Sequence, residues 1–393
     1  MSATSPYVLN FGAGPAKIPA PVLKRAQAEL LNFDNSGMSI MELSHRSKTF
    51  GKVLAHTKDT LTQLMDIPDN YEILFMQGGA TTQFSAIFYN LVAAKQQQQI
   101  KEGKEDEEIY VDYIVSGGWS SKAAQEADRL VKGENNKVIV NRVTDSKKHY
   151  GIYGQMQPSS EWQFSPAEKT AYVYYCDNET VHGVEFFDVP KVDPRVPLVA
   201  DVSSNFLSKP IDVKKFGVIY GGAQKNLGPA GVSIVIVRKD LLADINIGPL
   251  RPLMLDFKTV ADNDSMYNTP PTFAIYMVGL VLDYLVEQGG LHQIEQANKK
   301  KAEKLYKVIQ ESPMYSSPVD PSCQSRMNVV FRLKSEALEK EFLEGAEKKH
   351  MVQLKGHRSV GGIRASIYNS MPEEDVDQLI AYMLDFEKEH PIN

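Results

Sequence analysis

Asp201 and Lys225 are the two residues whose types and spacing point most clearly to chemistry. Asp201 ends the apolar run 197–200, and Lys225 follows the run 216–220 after the small residues 221–223. Apolar runs of this length between polar or glycine-rich turns are typical of strands buried in a sheet. The pattern therefore predicts a carboxylate and an amine at the ends of two buried strands.

Such a pair suits pyridoxal phosphate. A lysine forms a Schiff base with this cofactor, and a carboxylate pairs with its protonated pyridine nitrogen. A buried carboxylate keeps that nitrogen protonated, because charge interactions are stronger where the dielectric constant is low. The alternative is that Asp201 caps a turn and Lys225 is a solvated loop lysine, so further features of the chain must decide.

A candidate phosphate site follows the strand predicted over 71–76, where the sequence QGGATT leads into a helix predicted over 83–94. A strand, a glycine-rich turn and a helix N-terminus form an anion site, because free backbone N–H groups and the helix dipole point at the ligand. The hydroxyls of Thr81 and Thr82 would be further donors. The motifs GxxxxGK[ST] and strand-linked GxGxxG are missing, and a plain strand-to-helix turn is the alternative.

Two other predicted strands also end in candidate site residues. The strand 110–115 is followed by Trp119, which could stack on a pyridine ring or only pack. Another strand delivers Thr180 as a donor for the phenolic oxygen of the cofactor, and we interpret Asn178 and Glu179 as turn residues. Ligands bind at the carboxyl ends of strands in open parallel α/β sheets, so these strand ends favour one shared site.

A basic segment near the C-terminus, LKGHRSVGGIRASIYN, contains Lys355, His357, Arg358 and Arg364. Cationic groups on a glycine-rich backbone suit a phosphate or a carboxylate, which arginine grips as a fork. An exposed basic loop is the alternative. Because small or apolar residues flank the segment, we favour an anion site.

Two polar stretches are more ambiguous. His45 and Arg46, in SHRS, precede a helix predicted over 48–65, and they are either site residues or incidental to the helix cap. The run 95–108, KQQQQIKEGKEDEE, is low in complexity. We expect it to be a solvated surface insertion without a function.

Composition limits the class of protein. The 43 Lys and Arg residues against 49 Asp and Glu residues give a net charge of −6, which argues against a nucleic-acid-binding or polybasic membrane surface. Two cysteines cannot form a disulfide framework, which fits a reducing compartment. We find no signal peptide and no apolar run near the ~20 residues of a membrane span, so a cytoplasmic protein is expected.

The 393 residues are too many for one small core and predict two domains. The first, over 18–261, would be a large α/β domain that binds the cofactor. From about residue 262 the sequence pattern changes. Two prolines in MYNTPPTF precede long helices, and a strand–helix–strand–helix order follows, which indicates a smaller α+β domain. That domain would cover 262–393 together with the N-terminal segment 1–17.

The chain resembles the phosphoserine aminotransferase family, in the class V aminotransferase group of fold-type I pyridoxal-phosphate enzymes. The matching motifs run in order from about residue 9 to residue 370 and are NFGAGPA, SHRS, QGGATTQF, GGWS, NETVHG, ADVSS, GGAQKNLGPAG, MYNTPPTF, SRMNVVF and LKGHRSVGGIRASIYN. The resemblance implies a mostly parallel seven-stranded sheet in the large domain. Some family members have Gly-Arg where this chain has Ala80-Thr81, and a Ser at the position of Ala13.

The resemblance also implies a role for each site residue. Lys225 would be the Schiff-base lysine and the general acid and base, and Asp201 would pair with the pyridine nitrogen. The other cofactor-binding residues would be Gly79, Ala80, Thr81, Trp119, Thr180 and Gln224. Asn268 and Thr269 would reach the cofactor phosphate of a neighbouring subunit, so that a homodimer would share its active sites.

The substrate-binding residues implied by the resemblance are cationic. Arg364 would hold the α-carboxylate of phosphoserine or glutamate. The residues that would face the distal phosphate or γ-carboxylate are His45, Arg46, His357 and Arg358. No metal site is predicted.

The implied reaction is reversible amino transfer from glutamate to 3-phosphohydroxypyruvate, which yields O-phosphoserine and 2-oxoglutarate in serine biosynthesis. Phosphohydroxythreonine, in pyridoxine biosynthesis, is a second expected substrate. A desulfurase or lyase of the same fold is the nearest alternative, but those enzymes have His where this chain has Gln224, and neither Cys176 nor Cys323 has a nucleophile signature. A non-catalytic pyridoxal-phosphate-binding protein would have no use for the basic residues, and a nicotinamide dehydrogenase would need the dinucleotide fingerprint.

Overall fold

The computed structural model describes residues 7–132 and 137–392, which form fourteen strands and ten α-helices. The strands are Leu9–Asn10 (β1), Tyr71–Gln77 (β2), Ile109–Val115 (β3), Val138–Asp145 (β4), Thr170–Cys176 (β5), Asn178–Glu179 (β6), Val184–Glu185 (β7), Leu198–Asp201 (β8), Val218–Gly222 (β9), Val232–Arg238 (β10), Tyr315–Ser316 (β11), Asn328–Leu333 (β12), Met351–Val352 (β13) and Ile363–Ser366 (β14). The helices are Ala20–Glu29 (α1), Lys48–Met65 (α2), Ala80–Glu102 (α3), Gly118–Val131 (α4), Ser146–Tyr150 (α5), Phe257–Asp262 (α6), Thr272–Glu287 (α7), Leu291–Glu311 (α8), Glu336–Lys348 (α9) and Glu373–Glu389 (α10).

A seven-stranded sheet occupies the centre of the molecule, in the order β2-β10-β9-β8-β5-β3-β4. Strand β10 is antiparallel to both of its neighbours, and the pairs from β9 to β4 are all parallel. The prediction of an α/β fold with a mostly parallel seven-stranded sheet is confirmed.

The central sheet is buried on both faces. Along β10, Val232, Ile234 and Ile236 belong to one hydrophobic cluster, and Val235 and Val237 belong to the cluster on the opposite face. Helices α1, α2 and α7 cover the first face, and α3 and α4 cover the second. Burial on both faces explains why these strands are continuously apolar in the sequence.

A separate hydrophobic cluster lies in the C-terminal part of the chain, where α8, α9 and α10 pack on the antiparallel sheet β11-β12-β14. The N-terminal strand β1 joins this part through its parallel pairing with β13. Helix α7, which the sequence assigned to the small domain, packs instead against α2 in the core of the large sheet. The division of the chain into two domains stays a prediction.

The expectation of a solvated insertion over 95–108 is wrong for its first half. Helix α3 begins at Ala80, earlier than predicted, and continues to Glu102 with Lys95 and Gln99 buried. Glutamine and lysine are good helix formers, so a polar run can extend a helix. The helix ends at Gly103, whose φ of 67° is the left-handed conformation common at helix C-termini.

Among the described residues, no single helix is long and apolar enough to cross a membrane, and α7 and α8 reach that length together only across a bend of 84°.

Candidate active site

The parallel register brings three strand ends side by side at one edge of the central sheet. Cys176 at the end of β5 pairs with Asp201 at the end of β8, and Asp201 pairs with Tyr220 on β9. The chain continues from β9 to Lys225 three residues after Gly222. The predicted carboxylate and amine therefore lie at the same sheet edge, as the strand pattern required.

Lys225 is partly buried and is held by a neighbouring hydroxyl. Its Nζ donates a hydrogen bond of 2.6 Å to Thr180 Oγ1 and lies 5.4 Å from the ring centre of Trp119. Burial lowers the pKa of the Lys225 amine, and the charge of Asp201 opposes that shift. The alternative of a solvated loop lysine is wrong.

A cavity of about 130 Å³ lies beside this amine. Seven of the predicted cofactor-binding residues line it, namely Gly79, Ala80, Thr81, Trp119, Asp201, Gln224 and Lys225. The indole Nε1 of Trp119 is buried with no hydrogen-bond partner in the described part of the chain. An amine, a carboxylate and an unpartnered donor around one cavity fit a polar aromatic cofactor such as pyridoxal phosphate.

Asp201 is buried, and both oxygens of its carboxylate accept hydrogen bonds. Its Oδ1 accepts hydrogen bonds from the backbone N–H and the hydroxyl of Ser203, at 2.9 and 2.6 Å. Its Oδ2 accepts from the hydroxyl of Tyr220 at 3.1 Å, and Tyr220 in turn is 2.8 Å from the hydroxyl of Tyr174. These donors orient the carboxylate, so that it presents a fixed negative charge to the cavity.

Two helix N-termini, those of α3 and α4, point toward this sheet edge, and side chains occupy that of α4. The N–H groups of Trp119 and Ser120 each donate to the carboxylate of Glu179 at 2.8 Å. The N–H of Gly118 donates to Nδ1 of His182 at 3.2 Å. The donors that an anion would use at α4 are therefore already engaged.

The N-terminus of α3 is open by comparison. Its N-cap residue, Gly79, makes no side-chain hydrogen bond to the helix. Gly78 before it has a φ of 102°, which favours glycine, and Gln224 borders the same cavity from the side of Lys225. Of the two helix N-termini, that of α3 is the one that suits a cofactor phosphate.

The basic segment forms a tight loop before β14. The N–H of Gly356 donates to the carbonyl of Gly362 at 2.8 Å, and Lys355 bridges to Ile363. A Cβ at Gly356 would come within 1.9 Å of the carbonyl oxygen of Gly361, so the loop requires glycine there. This conformation places His357 and Arg358 on the loop and Arg364 on the strand after it.

Arg364 lies against the residue that holds the lysine. Its Nη1 is 3.4 Å from the carbonyl oxygen of Thr180, and its Nε is buried without a partner in the described chain. Burial lowers the pKa of the Arg364 guanidinium, and burial and Arg364 together lower the pKa of His357. A buried guanidinium with an unused donor is suited to an anionic ligand.

Four further predicted site residues do not line the cavity beside Lys225. His45 and Arg46 lie just before α2, and Asn268 and Thr269 are exposed beside Gln77, whose Nε2 donates to Asn268 Oδ1 and to the carbonyl of Thr269. Within residues 7–132 and 137–392, no hydrogen bond or ion pair joins these four residues to Lys225, Asp201 or Arg364.

The interpretation of Asn178 and Glu179 as turn residues is wrong. Both are fully buried, and Asn178 Nδ2 donates to Ser204 Oγ and Asn328 Oδ1 at 2.7 and 2.8 Å. His182 is a further residue of this region that the sequence patterns did not single out. A signal for this region was present in the sequence. The polar residues Asn178, Glu179 and Thr180 follow a buried strand and are followed by apolar residues, which is typical of a buried polar site.

Cys176 borders the cavity beside Lys225, but neither cysteine has the environment of a nucleophile. Cys176 and Cys323 are both free and buried. Burial raises the pKa of both thiols, that of Cys323 to about 11, and so disfavours the thiolate. This environment argues against a desulfurase that uses either thiol.

Comparisons with known proteins agree with this geometry. The family model for aminotransferase class-V matches residues 8–379. The chain is 49% identical over 385 residues to phosphoserine aminotransferase 2, chloroplastic, of Arabidopsis thaliana, an alignment that covers 98% of this chain and 85% of that protein.

Two solved structures are also similar. Phosphoserine aminotransferase from Bacillus circulans subsp. alkalophilus is 42% identical with a TM-score of 0.86, covering 98% of this chain and 99% of that one. Pyridoxal-phosphate-bound phosphoserine aminotransferase from Trichomonas vaginalis is 39% identical with a TM-score of 0.85, covering 96% of this chain and 100% of that one.

Proposed function

The chain belongs to the phosphoserine aminotransferase family of class-V aminotransferases, and we propose that the cavity beside Lys225 is its active site. It is a pyridoxal-phosphate-dependent transaminase of serine biosynthesis. Glutamate and 3-phosphohydroxypyruvate are converted reversibly into 2-oxoglutarate and O-phosphoserine. We locate the site there because Lys225 and Asp201 line the same cavity.

When bound, pyridoxal phosphate supplies an electron sink for the negative charge that the substrate acquires on losing its α-proton. Lys225 would hold the cofactor covalently, and Asp201 would keep a proton on the pyridine nitrogen. Trp119 would stack on the ring, and Thr180 would donate to the phenolic oxygen. The residues that would hold the phosphate are Gly79, Ala80, Thr81 and Gln224.

Lys225 would also move the proton. Its Nζ would take the α-proton of the amino-acid donor and pass it to the cofactor, and in the reverse half-reaction it would carry a proton from the cofactor to the α-carbon of the keto acid. Burial favours the neutral amine that this transfer needs, because it lowers the pKa of Lys225. The hydrogen bond to Thr180 Oγ1 keeps Nζ directed toward the cavity.

Arg364 would bind the α-carboxylate that both amino acids share. Its unpartnered Nε and its position against Thr180 support this assignment. The distal group differs between the substrates, since glutamate has a carboxylate and phosphoserine a phosphate. His357 and Arg358, on the loop before Arg364, would accept either group in one cationic pocket.

We further propose that a homodimer shares its two active sites. His45 and Arg46 would contribute to the distal pocket of the neighbouring subunit, and Asn268 and Thr269 would contribute to its cofactor phosphate site. Two observations support this: none of these residues lines the cavity beside Lys225 of its own chain, and Arg46, Asn268 and Thr269 are exposed. A cytoplasmic location and phosphohydroxythreonine as a second substrate complete the proposal.

Mixing two impaired variants tests the shared site. In a mixed dimer of Lys225→Ala and Arg46→Ala subunits, a shared arrangement gives one site with both residues intact and one with neither. Unshared sites would each lack one residue, so every site would be defective. Activity that reappears when the two proteins are unfolded and refolded together supports sharing, and no recovery contradicts it. Each variant refolded alone is the control.

A further inference from the structure

His182 lies at the edge of the active site, two residues after Thr180. Its ring packs edge-on against Tyr153, with the ring centres 4.5 Å apart. Its Nδ1 accepts the hydrogen bond from the N–H of Gly118, at 3.2 Å. Because Nδ1 accepts, the neutral ring carries its proton on Nε2.

The Nε2–H of His182 is an unused donor. Within residues 7–132 and 137–392, no backbone or side-chain group accepts a hydrogen bond from it, although the ring is partly buried. Burial, His357 and Lys147 lower the pKa of His182 to about 4, so the ring is neutral near pH 7. A neutral donor thus stands among cationic neighbours.

Basic side chains lie on this side of the site, and those of Lys147 and His357 act on His182 directly. The charges of Arg364 and Lys122 reach His357, which in turn acts on His182, and Lys122 Nζ lies 4.6 Å from the ring centre of Trp119. In the described ranges, none of the cations Lys122, Lys147 and Arg364 forms an ion pair, and the carboxylate of Glu179 is engaged by α4. Unpaired cations in a protein of net charge −6 favour an anionic ligand.

The two amino-acid substrates make different demands on such a pocket. A phosphate monoester presents three terminal oxygen acceptors and up to two negative charges, whereas a carboxylate presents two oxygens and one charge. A donor beyond those needed by a carboxylate would therefore improve binding of the phosphate selectively. The Nε2–H of His182 is such an additional donor.

We propose that His182 donates its Nε2–H to the phosphate of O-phosphoserine and thereby sets the preference for the phosphorylated substrate over glutamate. This inference rests on the proposed function. His182 is accordingly a specificity-determining residue, and its contact with Gly118 holds the ring in one orientation.

Two variants of His182 test its two hydrogen bonds separately, the one that Nε2–H would donate and the one that Nδ1 accepts from Gly118. His182→Asn retains an acceptor near the position of Nδ1 but loses the donor at Nε2. His182→Gln retains a donor near the position of Nε2 but loses the acceptor. The specificity constant kcat/KM is measured for O-phosphoserine and for glutamate in separate half-reactions of each holoenzyme.

We expect His182→Asn to lower kcat/KM for O-phosphoserine about tenfold or more relative to glutamate, as for the loss of a hydrogen bond to a charged group. We expect His182→Gln to keep the ratio of the two constants within about threefold of the wild type. As a readout without turnover, calorimetry with the unreactive ligands 3-phosphoglycerate and glutarate should show weaker binding by His182→Asn for the phosphate ligand only.

An equal loss for both substrates and both ligands in His182→Asn would overturn the inference and leave a structural role for the residue. A phosphoserine-selective loss in His182→Gln but not in His182→Asn would overturn it as well. Failure of the wild-type holoenzyme to transaminate O-phosphoserine would instead overturn the proposed function, so the two failures are distinguishable.

Discussion

The carboxylate of Glu179 anchors the backbone of Trp119, 60 residues earlier in the chain. Its Oε2 accepts the N–H of Trp119 at 2.8 Å, and its Oε1 accepts the N–H and the hydroxyl of Ser120 at 2.8 and 2.6 Å. Burial raises the pKa of this carboxyl group, and the donors of Ser120 and Trp119 oppose the shift. A strand end thereby sets the start of the neighbouring helix and the position of the aromatic ring near Lys225.

Glu179→Gln should displace Trp119 and lower the free energy of unfolding by about 1–3 kcal/mol, because the amide presents a donor to N–H groups that need acceptors. The fluorescence of Trp119 reports the displacement. The chain has two tryptophans, so the measurement uses a Trp162→Phe background in which Trp119 is the only one. The exposed Glu344→Gln serves as the control, and an unchanged Trp119 spectrum in Glu179→Gln would contradict the assignment.

Asp201→Asn should leave the cofactor attached to Lys225 but slow transamination by roughly 10²-fold or more, since an amide cannot stabilise a protonated pyridine nitrogen. Turnover of glutamate and of O-phosphoserine is measured at saturating cofactor, and visible absorbance confirms occupancy. Asp240→Asn changes an exposed carboxylate and should have no effect. Near-normal turnover in Asp201→Asn would remove the predicted role of this carboxylate.

Lys301 is buried, and its Nζ donates to the carbonyls of Ile367, Tyr368 and Met371 at 3.1, 2.8 and 2.9 Å. Lys301→Met would leave three buried carbonyls without this donor, so we expect a loss of about 3 kcal/mol or more in the free energy of unfolding. Lys299→Met, on the same helix but exposed, should change it by less than about 0.5 kcal/mol. Denaturant titration distinguishes the two, and equal stabilities would contradict the prediction.

The lowered pKa of His182 predicts a dependence of stability on pH. Between its ordinary pKa near ~6.5 and about 4, the unfolded chain binds a proton at this ring that the folded chain does not. The contribution of the neutral ring to the free energy of unfolding is therefore complete above about pH 6.5, and it is lost as the pH falls toward 4. In His182→Asn, stability should fall less over this interval than in the wild type.

Denaturant titrations of both proteins at about pH 7 and about pH 5 test this difference. Carboxylates also titrate in the interval, but they contribute equally to the two proteins and cancel in the comparison. If the free energy of unfolding falls equally in the wild type and in His182→Asn between the two pH values, the prediction of a lowered pKa for His182 is contradicted.

Much of this arrangement followed from local sequence patterns. The apolar runs located the buried strands, and the polar residues after them located Asp201, Lys225 and Trp119 at one sheet edge. Helix α2 has the bounds that its periodicity predicted, 48–65, because it has a strong apolar stripe and begins at a capping serine.

The remaining features depend on contacts between distant residues. Glu179 and His182 occupy the N-terminus of α4 and leave that of α3 free to bind a phosphate. No local pattern shows this, so the sequence alone predicts only a turn residue at Glu179. The packing of helix α7 in the core of the large sheet is likewise not visible in its sequence, since a uniformly apolar helix fits either core.

The central claim is that Lys225 is the reactive amine of a transaminase acting on O-phosphoserine. Its most direct test is the visible absorbance of the holoenzyme as O-phosphoserine is added and 2-oxoglutarate follows. The account predicts that the absorbance of the lysine-bound cofactor disappears with the first addition and returns with the second, and that Lys225→Ala shows neither change. A wild-type spectrum that ignores O-phosphoserine, or a Lys225→Ala protein that cycles normally, would contradict it.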